Sequence, residues 1–282
     1  SFMIIWLASY PKSGNTWLRA IISSLLYSDD GIFDFTLLKK ITKFPHKKYL
    51  ENYTNDFGNI HEIKKYWILS QNKINSERKI KFFKTHQLNC KIGEHSFTNK
   101  QNTLATIYIV RDPRNLVTSI SNHYNKTIGD AKKFLCSPMF IGGSKKRGGM
   151  KENDLKVLLG TWADHYNFWK KNNENYLLIK YEDLISNSKN EILKIITFLN
   201  KVTQWKIDIN KIDNVVKSTN FKNLKSMENE GKFEENAYAN QSSKIPFFNL
   251  GPENKWQNIL DNEIILYLEN KFHEEMKELN YI

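Results

Sequence analysis

The 282-residue sequence holds only two cysteines, Cys90 and Cys136, and their separation neither suits a metal site nor demands a disulfide. Both read as reduced structural thiols. The seven histidines are scattered. His61-Glu62 and His273-Glu274 each lack the second histidine of a zinc-binding helix, so no metal is expected. No apolar run approaches the roughly 18–20 residues that span a bilayer. The stretch Met3-Ile4-Ile5-Trp6-Leu7 is too short for a secretory core and has no basic leader, which reads as a cytoplasmic protein. No internal repeat or shift of composition marks a boundary, so a single domain over residues 1–282 is expected.

Hydrophobic residues make up 40% of the chain and aromatics 13%, enough for a sizeable folded core. Against 30 acidic residues stand 42 Lys and Arg, a net charge of +12. Such an excess favours anionic partners: nucleotides, sulfated or phosphorylated substrates, nucleic acid or a membrane surface. Charge alone does not choose among them.

Three apolar runs, Met3 to Ala8, Leu104 to Val110 and Tyr176 to Ile179, read as buried parallel strands, and Ile80 to Phe83 as a shorter one. Each precedes a turn signal and a segment of helical period, the alternation of a doubly wound sheet. Thr16 to Tyr27 places Trp17, Ile21 and Leu25 on one face. The residues Leu155, Leu158, Leu159, Trp162, Tyr166 and Trp169 follow helical spacing over about four turns and read as core. Gly129 to Asn153 and Glu228 to Asn254 read as long exposed loops. Within the former, the basic run Lys145 to Arg147 suits an acidic or carbohydrate ligand or simply a solvated loop.

Three segments carry chemistry. The first, Tyr10-Pro11-Lys12-Ser13-Gly14-Asn15-Thr16-Trp17, follows a strand and opens a helix, so backbone N–H groups and the helix dipole converge on one point. Lys12 adds a full charge, and the Ser13 and Thr16 hydroxyls add donors. Thr16 alone would also serve as a helix cap, but that does not account for Lys12. A Walker A loop places its lysine after the glycine, whereas Lys12 precedes Gly14. In the second segment a strand ends in Arg111, Asp112 is placed to cap the next helix, and Pro113 suits its first turn. Arg111 then stands at a strand's C-terminal end, where open α/β sheets bind ligands. The third segment, Phe83-Lys84-Thr85-His86, closes the short strand. A lone histidine is often structural, yet neutral imidazole can take a proton near pH 7.

The octapeptide resembles the 5′-phosphosulfate loop of the cytosolic-type sulfotransferases, Tyr-Pro-Lys-Ser-Gly-Thr-Thr-Trp, with only Asn15 different. The Arg111 segment is similar to that family's 3′-phosphate motif, and Lys84-Thr85-His86 to its Lys-Thr-His. The resemblance runs from Ile4 to about Trp256. It implies an α/β fold, P-loop-like, with a central parallel sheet of four or five strands and helices on both faces. It also implies a metal-free sulfuryl transfer from 3′-phosphoadenosine 5′-phosphosulfate (PAPS), leaving 3′-phosphoadenosine 5′-phosphate (PAP). The acceptor would be a small molecule, lipid or carbohydrate, and nucleic acid is not expected as a partner. His86 becomes the general base, with Lys12 and Lys84 beside it in the catalytic group. Lys12, Ser13, Gly14, Asn15, Thr16 and Trp17 hold the 5′ end, and Arg111 and Ser119 the 3′-phosphate. Tyr181, Thr219 and Phe221 line the adenine side, with Trp17 opposite Phe221, and Gly251 closes the site. The family's Arg-Lys-Gly clamp is here Asn249-Leu250-Gly251, ahead of Trp256, so both cations are missing. Lys244, carried by a segment that Pro246-Phe247-Phe248 could anchor, is the expected substitute, with Lys255 second. Two rival readings stand beside it: a P-loop kinase, which shares the fold and the anion loop but needs its lysine after the glycine and a magnesium site, and a non-enzymatic nucleic-acid binder, which explains the charge but not Lys12, Arg111 and His86 each at a strand end.

Overall fold

The computed structural model describes residues 3–143, 155–171, 173–229 and 246–282. The strands β1 (Ile4–Ala8), β2 (Thr42–Lys43), β3 (Lys81–Thr85), β4 (Thr103–Val110) and β5 (Tyr176–Lys180) form a central five-stranded parallel sheet in the order β2-β3-β1-β4-β5. Ala8 pairs with Thr85 on one side and with Tyr108 on the other. Every residue of β1 is buried, as expected of a strand covered on both faces. The described α-helices of six or more residues flank the sheet: α1 (Asn15–Tyr27), α2 (Trp67–Asn75), α3 (Pro113–Tyr124), α4 (Ile128–Cys136), α5 (Trp162–Lys171), α6 (Tyr181–Ser186), α7 (Ser188–Thr203), α8 (Ile212–Thr219), α9 (Phe221–Asn229), α10 (Asn262–Lys271) and α11 (His273–Glu278). No described helix is long and apolar enough to cross a membrane.

The chain divides into two compact units. The first comprises Ser1–Tyr10, Ile41–Tyr108 and Pro138–Leu178. Its core is an aromatic cluster around Trp6, whose ring centroid lies 5.2 Å from Phe97, 5.7 Å from Phe44 and 6.2 Å from Trp169. Each such pair adds about 0.5–1.5 kcal/mol beyond its buried area.

The second unit comprises Pro11–Lys40, Ile109–Ser137 and Ile179–Ile282. On α7, Ile192, Ile195, Ile196 and Leu199 recur at helical spacing and are all buried. Asp112 caps α3 by accepting from the Arg114 N–H, and Pro113 occupies its first turn, as the sequence indicates. The buried Arg114 guanidinium joins Asp112 at 2.8 Å and Glu269 of α10 at 2.6 Å, and lies 4.0 Å over the Trp256 ring. The start of α3 is thereby fixed.

Two expectations and one rival reading fail on local structure. Residues 155–160 do not extend α5: Val157–Gly160 is a strand paired antiparallel with Met139–Ile141. Gly160, at φ +66°, ends it, and reciprocal bonds between Thr161 and Asp164 then start the helix. The long loop from Gly129 contains α4, which Thr127 caps and which buries Ala131, Phe134 and Leu135; its residues 144–153 lie outside the described residues. Thr16 is the second residue of α1 rather than its cap, which is Gly14.

Candidate active site

Each expected chemical group follows the C-terminal end of a strand: Lys12 after β1, His86 after β3, Arg111 after β4 and Tyr181 after β5. In the second unit the loop from Pro11 to Gly14 turns sharply, with φ of +66° at Lys12 and +101° at Gly14. A lysine in that region stores roughly 1–2 kcal/mol of strain, which persists only where the surroundings fix it. Gly14 is required twice over, because a Cβ there would stand 2.7 Å from the Tyr181 ring. As N-cap it offers no side chain to the first turn of α1, so that turn's N–H groups open on the loop. Asn15 and Thr16 are buried in that turn.

Arg111 ties the cradle together. One guanidinium nitrogen donates to the Lys12 carbonyl at 3.0 Å and the other to the Gly251 carbonyl at 3.4 Å. The guanidinium carbon lies 4.1 Å from the Tyr181 ring centroid, and Tyr181 meets Trp17 edge-on at 5.7 Å. Arg111 Nε and Ser13 Oγ are buried with no hydrogen-bond partner among the described residues. A buried donor without a partner costs about 1–3 kcal/mol, so a ligand rich in acceptor oxygens would relieve two such costs beside one strained loop.

The opposite wall comes from α9 and residues 246–251. Gly251 lies so close to Phe221 that a Cβ would fall 2.3 Å from its ring. Glu228 holds two successive amides, accepting from Phe247 N–H at 2.6 Å and Phe248 N–H at 2.9 Å, and Lys225 donates to the Asn249 carbonyl at 2.7 Å. Lys12 Nζ donates to the Phe247 carbonyl at 3.2 Å and stands 4.0 Å over the Phe247 ring. The sequence points to Phe247 as an anchor; that Glu228 and Lys225 hold it depends on tertiary contact and carries no sequence signal.

The remaining residues differ in standing. Ser119 is half-buried on α3, one residue past Thr118, whose hydroxyl donates to Asn254. The Thr219 hydroxyl is spent on the Val215 carbonyl of its own helix at 2.7 Å. Lys244 lies outside the described residues. Lys255 lines a cavity of about 430 Å³ together with Arg111, Asn115, Tyr181, Glu182 and Gly251. Burial raises the Glu182 carboxyl above its ordinary pKa, against hydrogen bonds from the Asp112 N–H and the Tyr281 hydroxyl.

The first unit carries His86. Its Nδ1 lies 2.7 Å from the Ser9 carbonyl, with the Ser9 hydroxyl at 3.3 Å. A carbonyl only accepts, so Nδ1 carries the proton and the neutral ring keeps its lone pair on Nε2, the form a base requires. Lys84, half-buried on β3, has its backbone carbonyl bonded to the Phe44 N–H at 3.0 Å. Among the described residues no three His, Cys, Asp or Glu side chains gather as a metal ion would need.

A profile of the sulfotransferase domain matches residues 4–280. The chain is 24% identical to the amine sulfotransferase of Oryctolagus cuniculus over 278 residues, covering 97% of this chain and 81% of that one. It is 28% identical to sulfotransferase 1B1 of Mus musculus over 270 residues, covering 90% and 76%. The solved structure of mouse sulfotransferase SULT7A1 complexed with PAP shares the fold, with a TM-score of 0.59 at 20% identity, covering 98% of this chain and 85% of that one.

Proposed function

The chain belongs to the sulfotransferase domain family, and from that premise we propose that it moves a sulfuryl group from PAPS to a hydroxyl or amine, working as one domain. The observation that carries the donor assignment is the pair of buried, unpartnered donors, Ser13 Oγ and Arg111 Nε, in a cradle that also holds Lys12. These residues fit an anionic nucleotide. The loop and the first turn of α1 receive the 5′ end, and Arg111 and Ser119 the 3′-phosphate. Tyr181, Trp17, Thr219 and Phe221 shape the adenine side. The PAP bound in the mouse neighbour, the desulfated form of this donor, supports the same reading.

PAPS supplies an activated sulfuryl group. Lys12 and the loop amides stabilise charge that gathers on the leaving phosphate oxygen, with Lys84 as a second cation. His86 Nε2 takes the acceptor's proton. Positioning and electrostatics carry the reaction, as in phosphoryl transfer, and no metal is assigned. Small-molecule acceptors fit best with relatives named for amine and flavonol substrates, and lipids and carbohydrates remain within the same chemistry.

Lys255 is the cation we assign to the 3′ end in place of the missing pair, because it lines the same cavity as Arg111 and Gly251. Thermal melting tests the donor assignment. Adenosine 3′,5′-bisphosphate should raise the melting temperature in proportion to ligand excess over Kd, while ATP and duplex DNA raise it little. Lys255→Ala should narrow the affinity gap between the 3′,5′-bisphosphate and adenosine 5′-monophosphate by about fivefold, the scale of a charge-assisted contact at an exposed side chain. An unchanged gap removes Lys255 from the site, and equal stabilisation by ATP removes the donor assignment.

A further inference from the structure

His165, on α5, is completely buried and has no part in the reaction described above. Its Nε2 lies 2.8 Å from the His86 carbonyl, and its Nδ1 lies 2.8 Å from the Tyr108 hydroxyl. The direction of these bonds is forced. The carbonyl can only accept, so Nε2 carries the proton and donates; Nδ1 must then accept from the Tyr108 O–H. Tyr108, itself buried, accepts at the same hydroxyl from the Tyr10 backbone N–H. Burial holds the His165 pKa down to about 4, so the ring stays neutral and the polarity of the chain does not reverse near pH 7.

From the last residue of β3 onward, three successive carbonyls are each held, the first still by the neighbouring chain after β1 and the next two by α5. The Thr85 carbonyl accepts from the Ser9 N–H at 3.2 Å, His86 from His165, and Gln87 from Trp169 Nε1 at 3.0 Å. His165 and Trp169 stand one turn apart on α5, so a single rigid helix grips two adjacent peptide groups. Ser9 fixes the other end of residue 86 through the ring at Nδ1. An imidazole whose backbone and ring are both tied has one orientation for Nε2.

We propose that His165, with Tyr108, is a positioning group for His86: it fixes the peptide of residue 86 so that Nε2 is presented in one direction. This rests on the reading of His86 as the base. His165 is not a proton relay, since its bond reaches the backbone of residue 86 and not the ring. The role is geometric, and displacement of a reacting group by about 1 Å can cost on the order of 10²-fold in rate.

The test uses His165→Leu, which removes the donor, and His165→Gln, which can restore an N–H toward the His86 carbonyl. Tyr108→Phe keeps the ring and guards against loss of folding. The first readout is ¹⁵N NMR of the His86 imidazole in the bisphosphate-bound protein. Wild type and His165→Gln should show one Nδ1-protonated form. Tyr108→Phe and, where it folds, His165→Leu should show a mixture of tautomers. The second readout is turnover with 2-naphthol as probe acceptor. His165→Leu should lower kcat about tenfold at unchanged bisphosphate affinity, and should add nothing in a His86→Ala background. A single wild-type tautomer in both Tyr108→Phe and His165→Leu overturns the positioning role, as does an equal further loss in the His86→Ala background. Wild-type turnover in His86→Ala itself would instead reject the base and leave the tautomer result to be read on its own.

Discussion

Replacing His86 with alanine should slow sulfuryl transfer by about 10²–10⁴-fold, the range for loss of a general base. Affinity for adenosine 3′,5′-bisphosphate should stay within a few-fold. The expectation follows from the tautomer: with the Ser9 carbonyl 2.7 Å from Nδ1, the lone pair sits on Nε2. Calorimetry separates base from scaffold. Collapse of bisphosphate binding would make His86 structural, because it would show that the residue holds the donor site together. A rate near wild type would move the search to another base. The next in line is His123 on α3, whose ring lies 5.9 Å from that of Phe247.

Lys12→Ala should lower turnover at saturating donor by about 10² or more, the scale for one preorganised charge-stabilising group. Lys12 holds a positive-φ backbone, and its ammonium is steered by the Phe247 carbonyl at 3.2 Å and the ring below it. Part of the loss should appear in donor affinity, since the same ammonium faces the anion before and during transfer. A variant with wild-type kcat and a raised KM for donor would show uniform binding rather than transition-state stabilisation. That outcome would reassign Lys12 from the reaction to the ground state.

The sequence carries the strands and the loop after β1 plainly and the surrounding walls poorly, for physical reasons. β1 is a continuous apolar run and β4 is one from Leu104 save for Thr106, legible because both faces are buried along β1 and from Ala105 onward in β4. β2 is two residues, Thr42 and Lys43, paired with Phe83 and Lys84, and no periodicity can announce so short a strand. Val157–Gly160 and α5 share apolar spacing that a helical template absorbs; only Gly160 and the Thr161–Asp164 pair betray the break. α4 hides behind Gly129 and two lysines, although Thr127 and Asp130 mark its start. Lys12, Gly14 and Arg111 are legible because each follows a strand's C-terminal end, the place where the anion cradle proposed above needs those residue types. Glu228, Lys225 and Phe247 are assembled by tertiary contact across 19 to 24 residues of sequence, beyond the reach of local pattern. His165 stands inside a stripe read as apolar core. A polar ring between Trp162 and Trp169 was the one signal that something there needed a partner.

Sulfuryl transfer from PAPS is measured head-on with ³⁵S-labelled donor. The protein is incubated with a panel of phenols, alcohols, amines, sugars and lipids, beside its Lys12→Ala and His86→Ala variants. Label should move from the donor to at least one acceptor class, with PAP released in equal amount. Transfer by the two variants should be slower by about 10²-fold or more. Donor that binds tightly yet yields no labelled product with any acceptor would rule the proposed reaction out, and transfer that proceeds equally well without Lys12 and His86 would rule out the proposed mechanism.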